Sequence, residues 1–158
     1  MLFFEEFEFE SMKLYLEQKT ETIHKCRSKL AKKFGIYWFQ KMSAEEWTSK
    51  KDQVFVLADN CHSKKDLTDL MCKEQSIRDP IDTVQYKFII IPKYMDGKGA
   101  VILKAHHNLA DGLGFSFLFL AISDVWDKSA LPALKPMGCL KSTLVYSLLP
   151  FLVLKAGL

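Results

Sequence analysis

The sequence has few of the residues that mark specialised classes of small proteins. Its 158 residues include seven glycines, five prolines and four cysteines, and no Cys-x-x-Cys pair occurs. This spacing fits neither a zinc framework nor a small disulfide scaffold, and it predicts reduced, buried thiols in a cytosolic environment. The four cysteines are Cys26, Cys61, Cys72 and Cys139.

A large excess of one charge is also missing. The chain has 22 basic and 19 acidic residues, a formal net charge of +3, and no arginine-rich stripe. This balance argues against a nucleic-acid surface. Hydrophobic residues make up 49 % of the chain, which is enough for a packed core in one domain or in part of a larger one.

No apolar run is long enough to cross a membrane as a helix. The longest, Thr143–Leu154, is shorter than the roughly 18 residues required, and Pro150 interrupts it. Burial in the core is preferred to an interfacial position for this segment. The start of the chain, MLFFEEFEFE, is acidic where a secretory signal would be basic, so no secretory signal is predicted.

An apolar stripe at helical spacing predicts one charged helix from Ser11 to Phe34, ended by Gly35. Five basic residues on this helix either meet phosphates or form a solvated face near its C-terminus, and the solvated face is the preferred interpretation. These residues are Lys25, Arg27, Lys29, Lys32 and Lys33.

The next segments predict a mixed α/β chain. A strand is expected at Gln53–Asp59, and Ser63 with Asp66 resembles the capping pair of a following helix. Strands at Val84–Pro92 and Ala100–His107 form an antiparallel hairpin, because the Asp-Gly pair between them favours a tight turn. Helical spacing returns from residue 115 to residue 126, in a helix predicted to be buried on most sides.

The stretch KAHHNLADGLGF joins the second strand of this hairpin to that helix. Side chains alternate along a strand, so His106 and His107 are expected to point to opposite sides, one inward and one into a cleft. Asp111 is expected to fix the turn by hydrogen bonds, and Gly112 to supply a positive φ or room for close approach. An imidazole with a pKa near 6.5 suits proton transfer at neutral pH, whereas a histidine pair without the Asp-Gly is usually structural or merely exposed.

The motif HHNLADG resembles the His-His-x-x-x-Asp-Gly motif of acyltransferases with the chloramphenicol acetyltransferase-like fold. Its surroundings are most similar to the wax ester synthase / diacylglycerol acyltransferase family. The similarity follows the order helix, Pro-Ile-Asp (Pro80 to Asp82), strand, turn, strand, motif and helix, and it extends from Gln53 to Pro136. The fold it implies is half of a two-domain structure, with a mixed sheet flanked by helices.

The resemblance also implies roles for the motif residues. His107 would be the general base that takes a proton from the acceptor hydroxyl, and His106 would be buried and structural. Asp111 would hold the loop, and Gly112 would leave space where the substrates meet. The substrates would be an acyl-CoA and a long-chain alcohol or diacylglycerol, with no cofactor and no covalent acyl-enzyme. An enzyme of this kind is expected in the cytoplasm or at the endoplasmic reticulum or another lipid surface.

The chain is expected to form one domain with three segments: residues 1–52, a motif-bearing core at 53–136, and an apolar C-terminal helix at 137–158. Family members have two related halves, so this chain is expected to hold the first and to need a second half, a partner chain or a second copy. The alternatives are a non-catalytic half-fold that serves as a subunit or binding module, and a gene fragment.

Contact with a membrane surface would involve LFFEEF or Leu144–Leu154. A metal site from His107 and Asp111, with His62 and Cys61, is a weaker interpretation because the ligand spacing lacks support. No metal is therefore predicted. His24 and His62 are interpreted as exposed polar residues.

Overall fold

The structure, a computed structural model, describes residues 1–123. Their strands are β1 (Leu2–Glu5), β2 (Ser28–Lys33), β3 (Ile36–Lys41), β4 (Phe55–Leu57), β5 (Tyr86–Ile91) and β6 (Lys98–Ala105). Their helices are α1 (Phe9–Glu21), α2 (Ala44–Val54), α3 (Lys64–Ser76), α4 (Gly112–Ile122) and a short 3-10 helix at His24–Arg27. The predicted helix at 137–158, the apolar run within it and Cys139 lie outside the described residues.

Four strands form a mixed sheet in the order β1-β6-β5-β4, in which only the β4–β5 pair is parallel. The mixed α/β architecture predicted from the sequence is confirmed. β5 is a central strand with both faces covered, which explains why its sequence is continuously apolar rather than alternating. Phe88 and Ile90 pack into one hydrophobic cluster, whereas Ile89 and Ile91 pack into a second.

Helices cover both faces of this sheet. The larger cluster contains buried residues of α1, α2 and α4, such as Leu16, Trp47 and Leu118. The smaller cluster contains Leu67 of α3 and the nearby Cys61. α2 runs through the predicted segment boundary at residue 52, so residues on both sides of that boundary contribute to one core.

The two strongest local signals in the sequence are confirmed. Asp96 and Gly97 both have positive φ, 56° and 68°, and the Lys98 amide donates to the Met95 carbonyl at 3.1 Å, which closes the predicted tight turn. At the start of α3, Ser63 and Asp66 form a capping box in which each side chain accepts a hydrogen bond from the other residue's backbone amide.

The prediction of one helix from Ser11 to Phe34 is wrong beyond residue 21. α1 ends at Glu21, and β2 and β3 form a separate antiparallel hairpin. Its turn is made by Phe34 and Gly35, with φ of 52° and 79°, so Gly35 turns a hairpin rather than ending a helix. Leu30 lies opposite Phe39 across the hairpin and is buried, so the apolar residue that fitted a helical stripe also fits a strand.

The base of this hairpin is tied to the predicted Pro-Ile-Asp stretch. The Leu30 amide donates to the Thr83 carbonyl at 3.1 Å, and the Asp82 amide donates to the Leu30 carbonyl at 2.7 Å. Lys29 pairs with Glu46 and Asp82 at 2.7 and 3.0 Å. The basic residues of this region therefore lie on a strand and a 3-10 helix, and the prediction of a solvated helix face is wrong.

Smaller differences concern element ends and burial. The predicted strand at Gln53–Asp59 shortens to β4, because Gln53 and Val54 complete α2. α4 is less buried than predicted, since Leu118 and Ile122 are its buried residues and Phe117 is 44 % exposed. No helix within residues 1–123 is both long and apolar enough to span a membrane.

The cysteine prediction holds in part. Cys26 and Cys61 are free and buried, whereas Cys72 is free and exposed on α3. Burial raises the pKa of the Cys26 thiol to about 12. Of the three cysteines that the structure describes, Cys72 is thus the one placed to react with solvent reagents.

Candidate functional site

The motif forms a six-residue loop, residues 106–111, between the end of β6 and the start of α4. The His106 amide donates to the Gln85 carbonyl at 2.9 Å, which continues the β5–β6 pairing for one residue beyond the strand. The Leu109 amide then donates to the His106 carbonyl at 2.9 Å, which closes a turn. Leu109 is 4 % exposed and packs in the larger core, so an apolar side chain anchors the middle of the loop.

Asp111 is the N-cap of α4. One of its carboxylate oxygens accepts a hydrogen bond from the Gly114 amide at 2.7 Å, and its carbonyl accepts one from the Phe115 amide at 2.9 Å. A carboxylate at this position satisfies an otherwise unpaired amide and complements the positive end of the helix. The carboxylate of Asp111 thus fixes the junction between loop and helix.

The glycine that the junction requires is Gly114 rather than Gly112. Gly112 has no positive φ, and a Cβ placed on it would have no neighbour within 4 Å, so neither reason predicted for this glycine applies within the fold. A Cβ on Gly114 would lie 2.8 Å from Ala110 Cβ and 3.1 Å from the Asp111 carboxylate. The sequence carried a signal for this position, a second glycine in the first turn of a helix, where alanine is ordinarily favoured.

Lys25 reaches the same loop from the 3-10 helix. Its Nζ donates to the Leu109 carbonyl at 2.9 Å and approaches the Asn108 carbonyl at 3.4 Å. The ammonium also lies 5.1 Å from the centroid of the Phe39 ring. Sequence reasoning missed this contact because 84 residues separate Lys25 from Leu109, and no local pattern relates them.

The two histidines line different hollows, as the prediction of opposite orientations requires. His107 lines an open groove of about 700 Å³, together with Lys25 and residues of α4. His106 lines a second hollow of about 660 Å³ on the α3 side, together with Glu74 and Lys104.

The prediction that His106 is buried is wrong, because both histidines are exposed. His106 extends the strand pairing by one residue beyond Ala105, but it faces the open hollow on the α3 side rather than a packed interior. Its Nδ1 accepts a hydrogen bond from the Asn108 amide at 3.2 Å, which places the proton of a neutral His106 ring on Nε2.

The imidazole of His107 is left open to the groove. Its ring meets the Phe115 ring edge-on, with centroids 6.4 Å apart and planes at 77°. Within residues 1–123, neither of its nitrogens has a hydrogen-bond partner in the protein. An exposed imidazole with free nitrogens can accept a proton from a group bound in the groove.

Both apolar and polar residues line the groove. Phe117, Leu118 and Ala121 of α4 are among the apolar ones, and His24 and Lys25 of the 3-10 helix are among the polar ones. Its volume lies in the range of small-molecule sites, which are commonly apolar with a few polar groups. His24 is exposed, as predicted, but it also belongs to this groove.

The residues of the weaker metal interpretation do not converge. The His62 ring lies against the Lys93 carbonyl at 3.2 Å, and Cys61 is buried in the smaller core. No group of three or more His, Cys, Asp or Glu side chains within residues 1–123 is placed to bind a metal ion.

No protein-family model matches the sequence, and no curated protein does. Solved structures do match. The SgcC5 protein from Streptomyces globisporus, in a complex with (R)-(-)-1-(2-naphthyl)-1,2-ethanediol and sucrose, is similar with a TM-score of 0.59 and 11 % identity. The match covers 86 % of this chain and 30 % of that one.

A wax ester synthase/diacylglycerol acyltransferase from Marinobacter aquaeolei VT8 is similar with a TM-score of 0.57 and 18 % identity. The match covers 89 % of this chain and 35 % of that one. This chain therefore spans about a third of the length of both proteins, and over that length it shares the mixed α/β fold of an acyltransferase.

Proposed function

We propose that this chain carries the catalytic-base half of an acyl-CoA-dependent O-acyltransferase. The observation that supports this most directly is the exposed imidazole of His107, which lines a groove of about 700 Å³ and has no hydrogen-bond partner within residues 1–123. The His-His-x-x-x-Asp-Gly sequence of its loop and the fold shared with a wax ester synthase/diacylglycerol acyltransferase support the same reaction class.

In the proposed reaction, a neutral His107 takes the proton of an acceptor hydroxyl as the oxygen attacks the thioester carbonyl. The tetrahedral intermediate collapses when the carbon–sulfur bond breaks, and the imidazolium returns the proton to the departing CoA thiolate. The products are an ester and free CoA, and the base is regenerated. No covalent acyl-enzyme is needed, so the reaction requires no nucleophilic Ser or Cys.

A lipid alcohol is the proposed acceptor. The residues of α4 that line the groove are apolar, which suits a long alkyl chain beside the reacting hydroxyl. The similarity to the wax ester synthase/diacylglycerol acyltransferase from Marinobacter aquaeolei VT8 supports a long-chain alcohol or diacylglycerol. Such substrates would place the enzyme in the cytoplasm or at the surface of the endoplasmic reticulum or another lipid body.

A complete catalytic cleft is proposed to require a second half, because the similar proteins are about three times as long. That half would come from further sequence, a partner chain or a second copy. The same length difference is compatible with two alternatives: a non-catalytic subunit or binding module of a larger assembly, and a gene fragment.

The test compares His107→Ala with His106→Ala, since both histidines are exposed neighbours in one loop. Product formation from acyl-CoA and a lipid alcohol is measured by mass spectrometry, with the chain alone and with any partner that co-purifies. Loss of the base is expected to lower the rate about 10²- to 10⁴-fold, whereas His106→Ala retains most activity.

Equal rates for the native chain and His107→Ala would remove His107 as the base. Retained acyl-CoA binding without turnover by the native chain, alone or with a partner, would favour the binding module.

A further inference from the structure

A cluster of exposed aromatic and aliphatic side chains occupies the hairpin tip, defined here as residues 32–38. The exposed fractions are 91 % for Phe34, 67 % for Ile36, 49 % for Tyr37 and 39 % for Trp38. The base of the hairpin packs differently, because Leu30 is buried and Phe39 packs against the larger core. The tip thus extends beyond the part of the hairpin that packs against the larger core.

Phe34 is an unfavourable residue for the backbone that it occupies. Its φ of 52° lies in the left-handed region, which a bulky side chain rarely adopts and which glycine or asparagine adopts more easily. Its side chain gains almost no packing within the fold, since nearly all of it is exposed. Packing within residues 1–123 therefore gives no reason for a phenylalanine at this position, whereas contact with a separate apolar surface would.

The charged residues of the tip are both basic. Lys29 and Arg27, nearer the base of the hairpin, are paired with carboxylates, whereas no ion pair within residues 1–123 involves Lys32 or Lys33. Lys32 and Lys33 belong to the tip, where their ammonium groups lie 5.0 Å from the Tyr37 ring centroid and 5.5 Å from that of Phe34.

We propose that the hairpin tip docks on a membrane surface that contains anionic lipids. Phe34 and Ile36 would enter the boundary between headgroups and acyl chains, where Tyr37 and Trp38 are also favoured. Lys32 and Lys33 would stay at the level of the anionic headgroups. The segments that the sequence suggested for membrane contact are LFFEEF, which contributes β1 to the sheet, and Leu144–Leu154, which lies outside the described residues.

A lipid surface fits the tip better than a second protein does. Four partly exposed side chains offer at most about 600 Å², which is below the roughly 800 Å² per partner of a stable protein interface. A hairpin tip whose exposed aromatic residues lie beside Lys32 and Lys33 matches an anionic, deformable surface. This proposal does not depend on acyl transfer, because no residue of the tip lines the His107 groove.

The experiment is vesicle flotation of the full 158-residue chain at low salt. We expect binding to phosphatidylcholine vesicles that contain phosphatidylserine, and at least tenfold weaker binding to phosphatidylcholine alone. The double variant Phe34→Ser/Ile36→Ser should lose flotation. The matched control is Leu14→Ser/Met71→Ser, whose native side chains are 57 % and 46 % exposed on helices and which should float like the native chain.

Separate variants test the role of the two lysines in binding and the insertion of Trp38 into the membrane. Lys32→Gln/Lys33→Gln should reduce binding to the anionic vesicles roughly tenfold or more, and added salt should reduce native binding similarly. A blue shift of tryptophan emission on binding should disappear in Trp38→Phe. Unchanged flotation of the Phe34→Ser/Ile36→Ser variant would overturn the proposal. So would a native chain that does not float but self-associates in sedimentation through the tip, because the occupant would then be a second copy.

Discussion

Two glycines in one helical turn should respond to the same substitution with opposite signs. Gly112→Ala adds a methyl group that meets no atom within 4 Å, at a residue whose φ is already ordinary. The change restricts the unfolded chain at no cost in contacts, so we expect about 0.5 kcal/mol of added stability. Gly114→Ala gains a similar amount of stability from the restricted unfolded chain. It places its Cβ only 2.8 Å from Ala110 Cβ, however, whereas non-bonded carbon atoms prefer a separation of about 3.5 to 4.0 Å.

Ala110 cannot move aside by rotating, because its Cβ is attached directly to the backbone. The loop must therefore shift by about 1 Å, which costs roughly 1 to 3 kcal/mol of overpacking. The shift also stretches the 2.7 Å bond from the Gly114 amide to Asp111, and loss of this N-cap costs about 1 kcal/mol. After subtraction of the gain of about 0.5 kcal/mol, we expect Gly114→Ala to be less stable than the native chain by about 1.5 to 3.5 kcal/mol.

Urea denaturation of both variants, followed by circular dichroism, measures the two free energies of unfolding with a common m-value. Gly114→Ala at or above native stability would refute the argument from close contact, and so would equal destabilisation by the two variants.

The Gly112→Ala variant also tests the proposed function. If Gly112 leaves space for substrates, Gly112→Ala should lower acyl transfer while it raises stability, and unchanged transfer would remove that role.

Two further predictions concern the Lys25 contact and the cysteines. Lys25→Met removes the donor to the Leu109 carbonyl, so we expect about 1 kcal/mol less stability and faster amide exchange in loop 106–111. Lys25→Arg should restore the protection of these amides. Unchanged exchange in Lys25→Met would show that the contact does not order the loop. Dithionitrobenzoate at pH 8 should modify Cys72 within minutes in the folded chain but Cys26 only after unfolding, because burial raises the pKa of the Cys26 thiol to about 12. Peptide mapping identifies the labelled residue. Rapid labelling of Cys26 in the folded chain would contradict its burial.

The elements that could be predicted from the sequence are those specified by neighbouring residues. The Asp96-Gly97 turn depends on two backbone conformations, and the Ser63–Asp66 cap depends on side chains three residues apart. The motif loop could also be placed between a strand and a helix from neighbouring residues alone. The spacing of hydrophobic residues is that of a strand before the loop and that of a helix after it. Such local interactions have nearly the same free energy wherever the segment lies in the fold.

The comparison with solved structures adds a fold but no residue roles. Identities of 11 % and 18 % leave the function of His107 to experiment, although the loop that carries it was predicted from the sequence.

Residues within 22–41 illustrate what local sequence leaves open. Cys26 and Leu30 fit a helical stripe, yet the chain forms a 3-10 helix and a hairpin, because pairing of Leu30 with Thr83 and Asp82 favours a strand. Long-range hydrogen bonds of this kind outweigh helix propensities of a few tenths of a kcal/mol per residue.

The sequence by itself determined the mixed α/β class, the β5–β6 hairpin, the α3 cap and the location of the histidine loop. Only the tertiary structure decided that His106 is exposed, that Lys25 holds the loop and that Phe34 stands on an exposed tip. The physical reason is distance along the chain. Turns and caps are formed by neighbours in sequence, whereas burial and the Lys25 contact depend on where segments more than 80 residues apart come to lie.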